Sequence, residues 1–463
     1  MAGQQAKFLS GSLFRHVSVM SLTASVGLMA IFLVDFVDMI FISMLGKAEL
    51  AAAVGYAGAI LFFTTSFGIG MAIAAGALVS RALGAGDAPR AHELSTNALI
   101  YSVVFGILFA VVVWLNLEFL ARLLGADGQT LDLAVHYLAI IVPSLPLLMI
   151  GMVGGAILRA HGDARRAMMA TIYGGLANAL LDPILIFGLD LELTGAALAS
   201  VAARITIGFA AMVPLIRHYG GFVWPRPLAF VRDLPLVLSI AVPAILTQLA
   251  TPIGQAYVTR SMAEYGEDAV AGMAIVGRLT PVAFGVIFAL SGAVGPIIGQ
   301  NFGAGASARV RQAFQSGLIF AALFIAAMAA LLFGLRGPIA DLFQATGIAR
   351  DLVYLFCGPL ALLFFFNAAL FVSNAAFNNI GYPFYSTGTN WARHTVGTFP
   401  LVMLGSYFFG APGVLIGQAM AGVIFGTVAW VLALRVMSRS GAKMPSESIE
   451  RQARILTLFN FRR

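Results

Sequence analysis

Charge is what this sequence has least of. Of its 463 residues only 10% are Asp, Glu, Lys or Arg, where a soluble protein carries about 25%. With 60% hydrophobic residues and a mean hydropathy of +0.93, the chain belongs in a bilayer. Cysteine is almost absent. Cys357 stands alone, which excludes an intrachain disulfide and a cysteine-based metal cluster. The six histidines are scattered, with no pair at ligand spacing on one segment. No G-x-x-x-x-G-K-[ST] loop is present, so the chain does not drive itself by its own nucleotide hydrolysis. Secondary transport or a passive channel remains.

What the chain has in quantity is long apolar runs. Reading them between polar breaks gives twelve spans, at about 16–45, 51–80, 94–115, 131–158, 167–189, 194–216, 235–262, 268–300, 313–335, 350–377, 386–409 and 412–436. The first follows Lys7 and Arg15 but is too long for a signal peptide, so it is read as a retained helix. Several spans carry an interior proline (Pro183, Pro243, Pro252, Pro281, Pro296), which kinks a helix and frees carbonyls for a cavity. An even span number puts both termini on one side. That side bears 19 of the 27 Lys and Arg and the opposite side five, so both termini are expected in the cytoplasm, with the chain in the inner membrane. The same asymmetry accounts for the net charge of +7 without a nucleic-acid partner.

The chain also repeats. Leu83-Gly-Ala-Gly-Asp-Ala-Pro-Arg90 returns as Phe302-Gly-Ala-Gly-Ala-Ser-Ala-Arg309, and Gly162 returns as Gly381, each at an offset of 219. Gly195-Ala-Ala-Leu returns as Gly413-Val-Leu-Ile at 218. The expected fold is therefore all-α integral membrane, with twelve helices in two six-helix lobes related by a pseudo-twofold along the membrane normal. The lobes are set at 1–216 and 235–436, joined by a basic linker at 217–234. The GAG segments read as tight turns at helix ends rather than phosphate cradles. Ser446–Arg463 alternates basic and apolar residues; within a tail at 437–463 it suggests an amphipathic helix on the inner leaflet, with a solvated tail as the alternative.

Of the twenty acids, three lie inside the bilayer rather than at span ends, Asp35, Asp38 and Asp182, all in the first half. A carboxylate at the middle of a membrane helix costs about 2.5–3.5 kcal/mol on insertion scales. Such residues belong at a water-filled cavity where they do something. Asp35 and Asp38 share a helix face, and Asn178 lies four residues before Asp182 beside the kink at Pro183. This amide and these carboxylates form a candidate proton or cation site, facing each other across the first lobe. The plain alternative is structural hydrogen bonding; for Asp35 it is a position nearer the water. Arg278 and Arg393 read as structural cations at helix ends or cavity walls.

Val-Asp of the first span followed by Leu-Gly, the GAG turns, Leu158-Arg-Ala-His-Gly-Asp163 and Asn178…Asp182-Pro183 together resemble the multidrug and toxic compound extrusion (MATE) family over nearly the whole chain. The resemblance implies alternating access and export of small cationic or amphipathic organic compounds, without a cofactor, against H+ or Na+. It also implies a chain that acts as a monomer in the lipid bilayer and is no enzyme. It assigns Asp38, Asn178 and Asp182 to the coupling site, with Ser200 where a threonine is common and Tyr137 as the span-4 tyrosine. These are the positions of the DinF-like branch. The NorM-like glutamate of span 7 is missing, since Thr251 stands at its spacing after Pro243. The expected activity is H+-coupled antiport. Na+ coupling at the same residues and a lipid-linked precursor flippase are the alternatives.

Overall fold

In hydrocarbon a spanning segment must pair its own backbone groups, which leaves an apolar chain like this one the α-helix. The computed structural model describes residues 6–440, and within them eleven helical runs are long and apolar enough to cross a membrane. Ten are single spans: α1 (Leu13–Ile42), α2 (Glu49–Gly84), α3 (Ala88–Leu115), α4 (Gly128–Ala160), α5 (Ala164–Gly188), α6 (Glu192–His218), α7 (Pro227–Ala263), α8 (Glu267–Gly303), α9 (Ser307–Leu342) and α10 (Gly347–Ile380). The eleventh, Pro383–Arg439, is 57 residues long, about twice what one crossing requires. It reverses at Gly410, whose φ of 62° and ψ of −142° are not helical and suit only glycine. Past the turn the chain runs back against itself. A Cβ on Gly405 would lie 2.1 Å from the Gly413 carbonyl oxygen, and one on Gly417 would lie 2.3 Å from that of Leu401. Residues 383–409 and 411–439 are thus two antiparallel helices, α11 and α12, and the twelve expected spans are present.

Several helices are interrupted where the sequence carries proline. Pro183 leads into a π turn at Ile184–Gly188 in α5, and a 3-10 turn at Val142–Ser144 breaks α4 at Pro143. Phe284, three residues after Pro281, leaves helical geometry in α8. Further π turns occur at Phe356–Leu360 in α10 and Arg393–Gly397 in α11.

The repeated glycines do what tight turns require. Gly86 and Gly305 have φ of 75° and 70°, and Gly162 and Gly381 have 80° and 93°, so each ends a helix in the left-handed region. The two halves differ in how the next helix is capped. Asp87 Oδ1 accepts from the Arg90 backbone N–H at 3.0 Å and Asp163 Oδ1 from that of Arg166 at 3.1 Å, whereas Ala306 and Tyr382 stand at the corresponding places with no side-chain cap.

Helix α7 starts at Pro227, inside the stretch read from sequence as a linker, which leaves 219–226 as the connection. The acid of this stretch is buried and neutralised instead. Buried Asp233 pairs with Arg90 Nη2 at 2.6 Å and accepts from Asn97 Nδ2 at 2.9 Å. The Tyr101 hydroxyl donates to the Phe230 carbonyl.

Two compact units are present, and neither follows chain order throughout. Among the described residues, one holds Val26–Ile245 together with Lys7, and the other holds Phe8–Ser25 together with residues 246–440. In the first, small residues of α2 to α6 pack around Met71, Val79, Val153 and Leu158. In the second, the later half of α7 lies along α11. Trp391 Nε1 donates to the Leu246 carbonyl at 2.8 Å, and the Tyr265 hydroxyl donates to that of Ser406 at 3.0 Å. Phe8, 1% exposed, is seated there by Gln300, Asn301 and Arg309. The tail expected to form an amphipathic helix lies outside the described residues.

Candidate ion-coupling site

Helix α1 reaches its partner through glycine. A Cβ on Gly27 would touch Met168 Cα at 3.4 Å, and one on Gly175 would meet Val34 Cγ2 at 3.1 Å. These contacts run α1 parallel to α5 at short separation, and four residues beyond Val34 they bring Asp38 to Asn178. On the other side of α5, Gly174 lies against Ile207, and Gly195 lies against the backbone of Leu185 and Ile186 in the π turn. Small residues permit this approach because no Cβ holds the backbones apart.

Where these helices meet, three of the residues singled out from sequence come together. Asn178 Nδ2 donates to Asp38 Oδ1 at 3.1 Å and Oδ2 at 3.3 Å, and to Asp182 Oδ2 at 2.5 Å. The carboxyls of Asp38 and Asp182 are themselves within hydrogen-bonding reach of each other. Asp182 is 1% exposed, and its Oδ1 is buried without a partner. Asp38 keeps partial exposure. Ionised carboxylates only accept, so two of them sharing one amide repel each other unless a proton or a cation lies between them.

Tyr137 is buried beside this group, with Ser200 next to its hydroxyl. Asp35 is not joined to the cluster. It is exposed one turn away on α1, near Asp38 but without a hydrogen bond to Asn178 or Asp182. Sequence reasoning passed over Arg204, which lies alongside Tyr137. Its Nη1 donates to the Ile141 carbonyl at 3.0 Å and to Ser144 Oγ at 2.8 Å, closing the break in α4. The signal was an arginine inside a span following a proline-broken helix. Among the described residues no cluster of three or more His, Cys, Asp or Glu is placed to hold a metal ion.

Below the spans of the same unit, the α4–α5 turn carries a second polar group. Asp163 binds the Arg166 guanidinium at 2.5 Å and accepts from the Tyr219 hydroxyl at 2.7 Å. Burial pushes its carboxyl up, but the bonds from Tyr219 and Arg166 outweigh it and hold Asp163 below the usual 3.8.

An all-helical chain with twelve spans and a hydrogen-bonded carboxyl pair among them is a multi-span membrane transporter. The family is MatE, and this chain belongs to it: the family profile matches residues 24–184 and again 243–404. The two matches begin 219 residues apart, the offset of the internal repeat. The chain is 30% identical over 444 residues to the FAD transporter of Shewanella oneidensis, covering 92% of this chain and 96% of that one. It is 28% identical over 297 residues to the multidrug export protein MepA of Staphylococcus haemolyticus, covering 64% and 66% of the two. A crystal structure of MATE in complex with MaL6 superposes with a TM-score of 0.88 over 96% of this chain and 100% of that one, at 22% identity. A mutant of the Vibrio cholerae MATE transporter VcmN gives 0.87 over 92% and 97%, at 24% identity. The fold is that of the MATE transporters, and the chain is a transporter rather than an enzyme.

Proposed function

We propose that this chain exports amphipathic organic compounds in exchange for protons, with Asp38, Asn178 and Asp182 as the coupling site, in the manner of the DinF-like branch. The observation that carries this reading is the carboxyl pair bridged by the Asn178 amide. A proton placed between the carboxyls gives the orphaned Asp182 oxygen a share in a hydrogen bond and removes the repulsion across the α1–α5 contact. Loss of the proton restores that repulsion and drives α1 from α5. In the outward-facing state an external proton is taken up, α1 closes on α5, and cargo leaves. In the inward-facing state the proton departs and cargo loads. Each charge moved contributes about 2.3 kcal/mol per 100 mV, with the pH gradient in addition. Tyr137 and Ser200 border the pair and restrict its access to water, and exposed Asp35 lies on the proton's route. Both termini face the cytoplasm.

Sodium is the alternative ion at the same residues. The Asn178 side chain turns its NH2 to both carboxyls, and a donor in that place opposes a metal cation and favours the proton. For the cargo, likeness to the FAD transporter over 92% of this chain favours a second reading, a large aromatic compound bearing negative charge.

Efflux of a fluorescent compound from proteoliposomes, under an imposed pH gradient or an imposed Na+ gradient, tests the coupling. Wild type is expected to transport under the pH gradient alone, and Asp38→Asn to lose at least about 90% of that flux, as for a lost proton-transfer group. Flux driven only by Na+ replaces the ion. Flux that needs neither gradient and survives in the variant overturns the coupling site.

A further inference from the structure

The second unit carries charge of the opposite sign. Its acids among the described residues are Glu264, Glu267, Asp268, Asp341 and Asp351, all in connections or in the end turns of helices. Deep within its spans the charged residues are arginines, Arg278 and Arg393. Arg393 lies ten residues past the start of α11 at Pro383, about 15 Å along the helix axis at 1.5 Å per residue. It opens the π turn Arg393–Gly397, an irregularity that recurs at functional sites.

Three other arginines of this unit, Arg309, Arg336 and Arg350, have partners. Arg309 binds the Phe8 carbonyl and Asn301 Oδ1, Arg350 pairs with Asp341, and Arg336 lies over Phe333 and Tyr354. The Arg393 guanidinium is largely buried and, among the described residues, makes no hydrogen bond, ion pair or ring contact. Only its backbone is engaged, accepting from Thr398 Oγ1 at 2.8 Å.

Its neighbours are hydrogen-bond donors. Asn390, one turn earlier and about 60° around the helix, donates to Asn374 Oδ1 of α10 at 3.2 Å and to the Ser386 carbonyl at 2.8 Å. Asn374 spends its acceptor on that bond and keeps its Nδ2 hydrogens free among the described residues. His394 turns away into α7, where a Cβ on Gly254 would lie 2.4 Å from its Nδ1. Among the described residues the Arg393 guanidinium fork on α11 therefore has no carboxylate to neutralise it. A guanidinium inside a membrane is expensive unless it meets an anion, and its planar fork matches the oxygens of phosphate.

We propose that Arg393 receives a phosphate or pyrophosphate group of the transported compound in the second unit, apart from the proton pair in the first. This rests on the reading of the chain as an exporter and adds a charge class to its cargo. The shared chemistry is a phosphate ester anion, carried by a soluble compound or by a phospholipid.

The test is equilibrium binding to purified protein in phosphatidylcholine nanodiscs, with no ion gradient, so failure of proton coupling alone leaves it unaffected. The probes are FAD, riboflavin (a related ring system without the phosphates) and inorganic pyrophosphate as competitor. Wild type is expected to bind FAD at least about tenfold more tightly than riboflavin, with pyrophosphate displacing FAD. Arg393→Gln is expected to lose that preference while binding riboflavin as before, and Arg393→Lys, which keeps the charge, to retain part of it. Phosphatidylglycerol in the nanodisc distinguishes the sources: displacement of FAD by the lipid identifies a lipid phosphate as the occupant, and undisturbed FAD binding identifies a soluble one. Equal binding of FAD and riboflavin by wild type overturns the proposal. So does a preference unchanged in Arg393→Gln, or failure of FAD, pyrophosphate and phosphatidylglycerol alike to distinguish that variant from wild type.

Discussion

Asn178 is the side chain on which the carboxyl pair turns, because it is the one amide that donates to both partners. Its replacement by Ala leaves two acceptor-only groups in contact. Asn178→Ala is expected to lower pH-driven efflux by about tenfold or more, the scale of losing one well-placed donor, while the protein still inserts and purifies. A size-exclusion profile beside the flux assay separates the two effects. Asp163 has a structural duty. Its carboxyl is held below the usual 3.8 by Tyr219 and Arg166 against the opposing effect of burial, so its contribution is fully present above that value and is lost as the pH falls through the depressed one. Asp163→Asn is expected to lower stability by about 0.5–2 kcal/mol at neutral pH through the weakened cap. The gap in thermal midpoint between variant and wild type should close on acidification below 3.8. A constant gap across that range refutes the assignment. The acid residues were legible in the sequence because a carboxylate inside a span has few innocent reasons to be there. Arg204 and Arg393 are both arginines inside spans, yet one clamps a broken helix and the other has no side-chain partner among the described residues. A sequence gives the charge of a side chain but not what lies opposite it.

At the scale of helices, contacts between small residues set the geometry. Gly195 packs its α-carbon against the backbone of the α5 π turn, where a Cβ would lie 2.7 Å from Leu185 C and 2.8 Å from Ile186 N. Backbone cannot swing aside as a side chain can. Gly195→Ala is expected to destabilise the protein by about 1–3 kcal/mol, as overpacking does, and to reduce transport as well, since Ser200 follows on the same helix. A thermal-shift measurement in detergent checks the first effect. Span positions were readable from apolar runs to within a few residues for most helices. The chief departure is the start of α7, because Arg232 and Asp233 signal solvent in a one-dimensional reading and Asp233 is paired with Arg90. The paired GAG turns were readable as turns from their glycines. The missing caps at Ala306 and Tyr382 show that the repeat preserves backbone shape more closely than the side chains around it.

For the molecule as a whole, orientation is the property on which the direction of transport depends. The reading that puts 19 of the 27 basic residues on the side of the termini supports, by the positive-inside rule, the proposed cytoplasmic placement of both ends. A C-terminal fusion to green fluorescent protein is expected to fluoresce in cells, and a fusion to a periplasmic phosphatase to be inactive; the reverse pattern inverts the proposed cycle. The compact units divide at Ser25/Val26 and at Ile245/Leu246, within helices rather than between them. No apolar run marks such a division, because α1 and α7 are continuous in sequence. The polar content of α5 also bears on biosynthesis. With Asn178 and Asp182 inside it and Arg165 and Arg166 in its first turn, α5 is the least apolar of the eleven candidate spans. Its partition from the translocon into lipid is correspondingly weak, so α5 depends on neighbouring helices that have already entered, and on a protonated Asp182, to stay in the membrane. The nascent chain therefore meets, during synthesis, the same problem of a buried acid that the proposed transport cycle would meet again on every turnover.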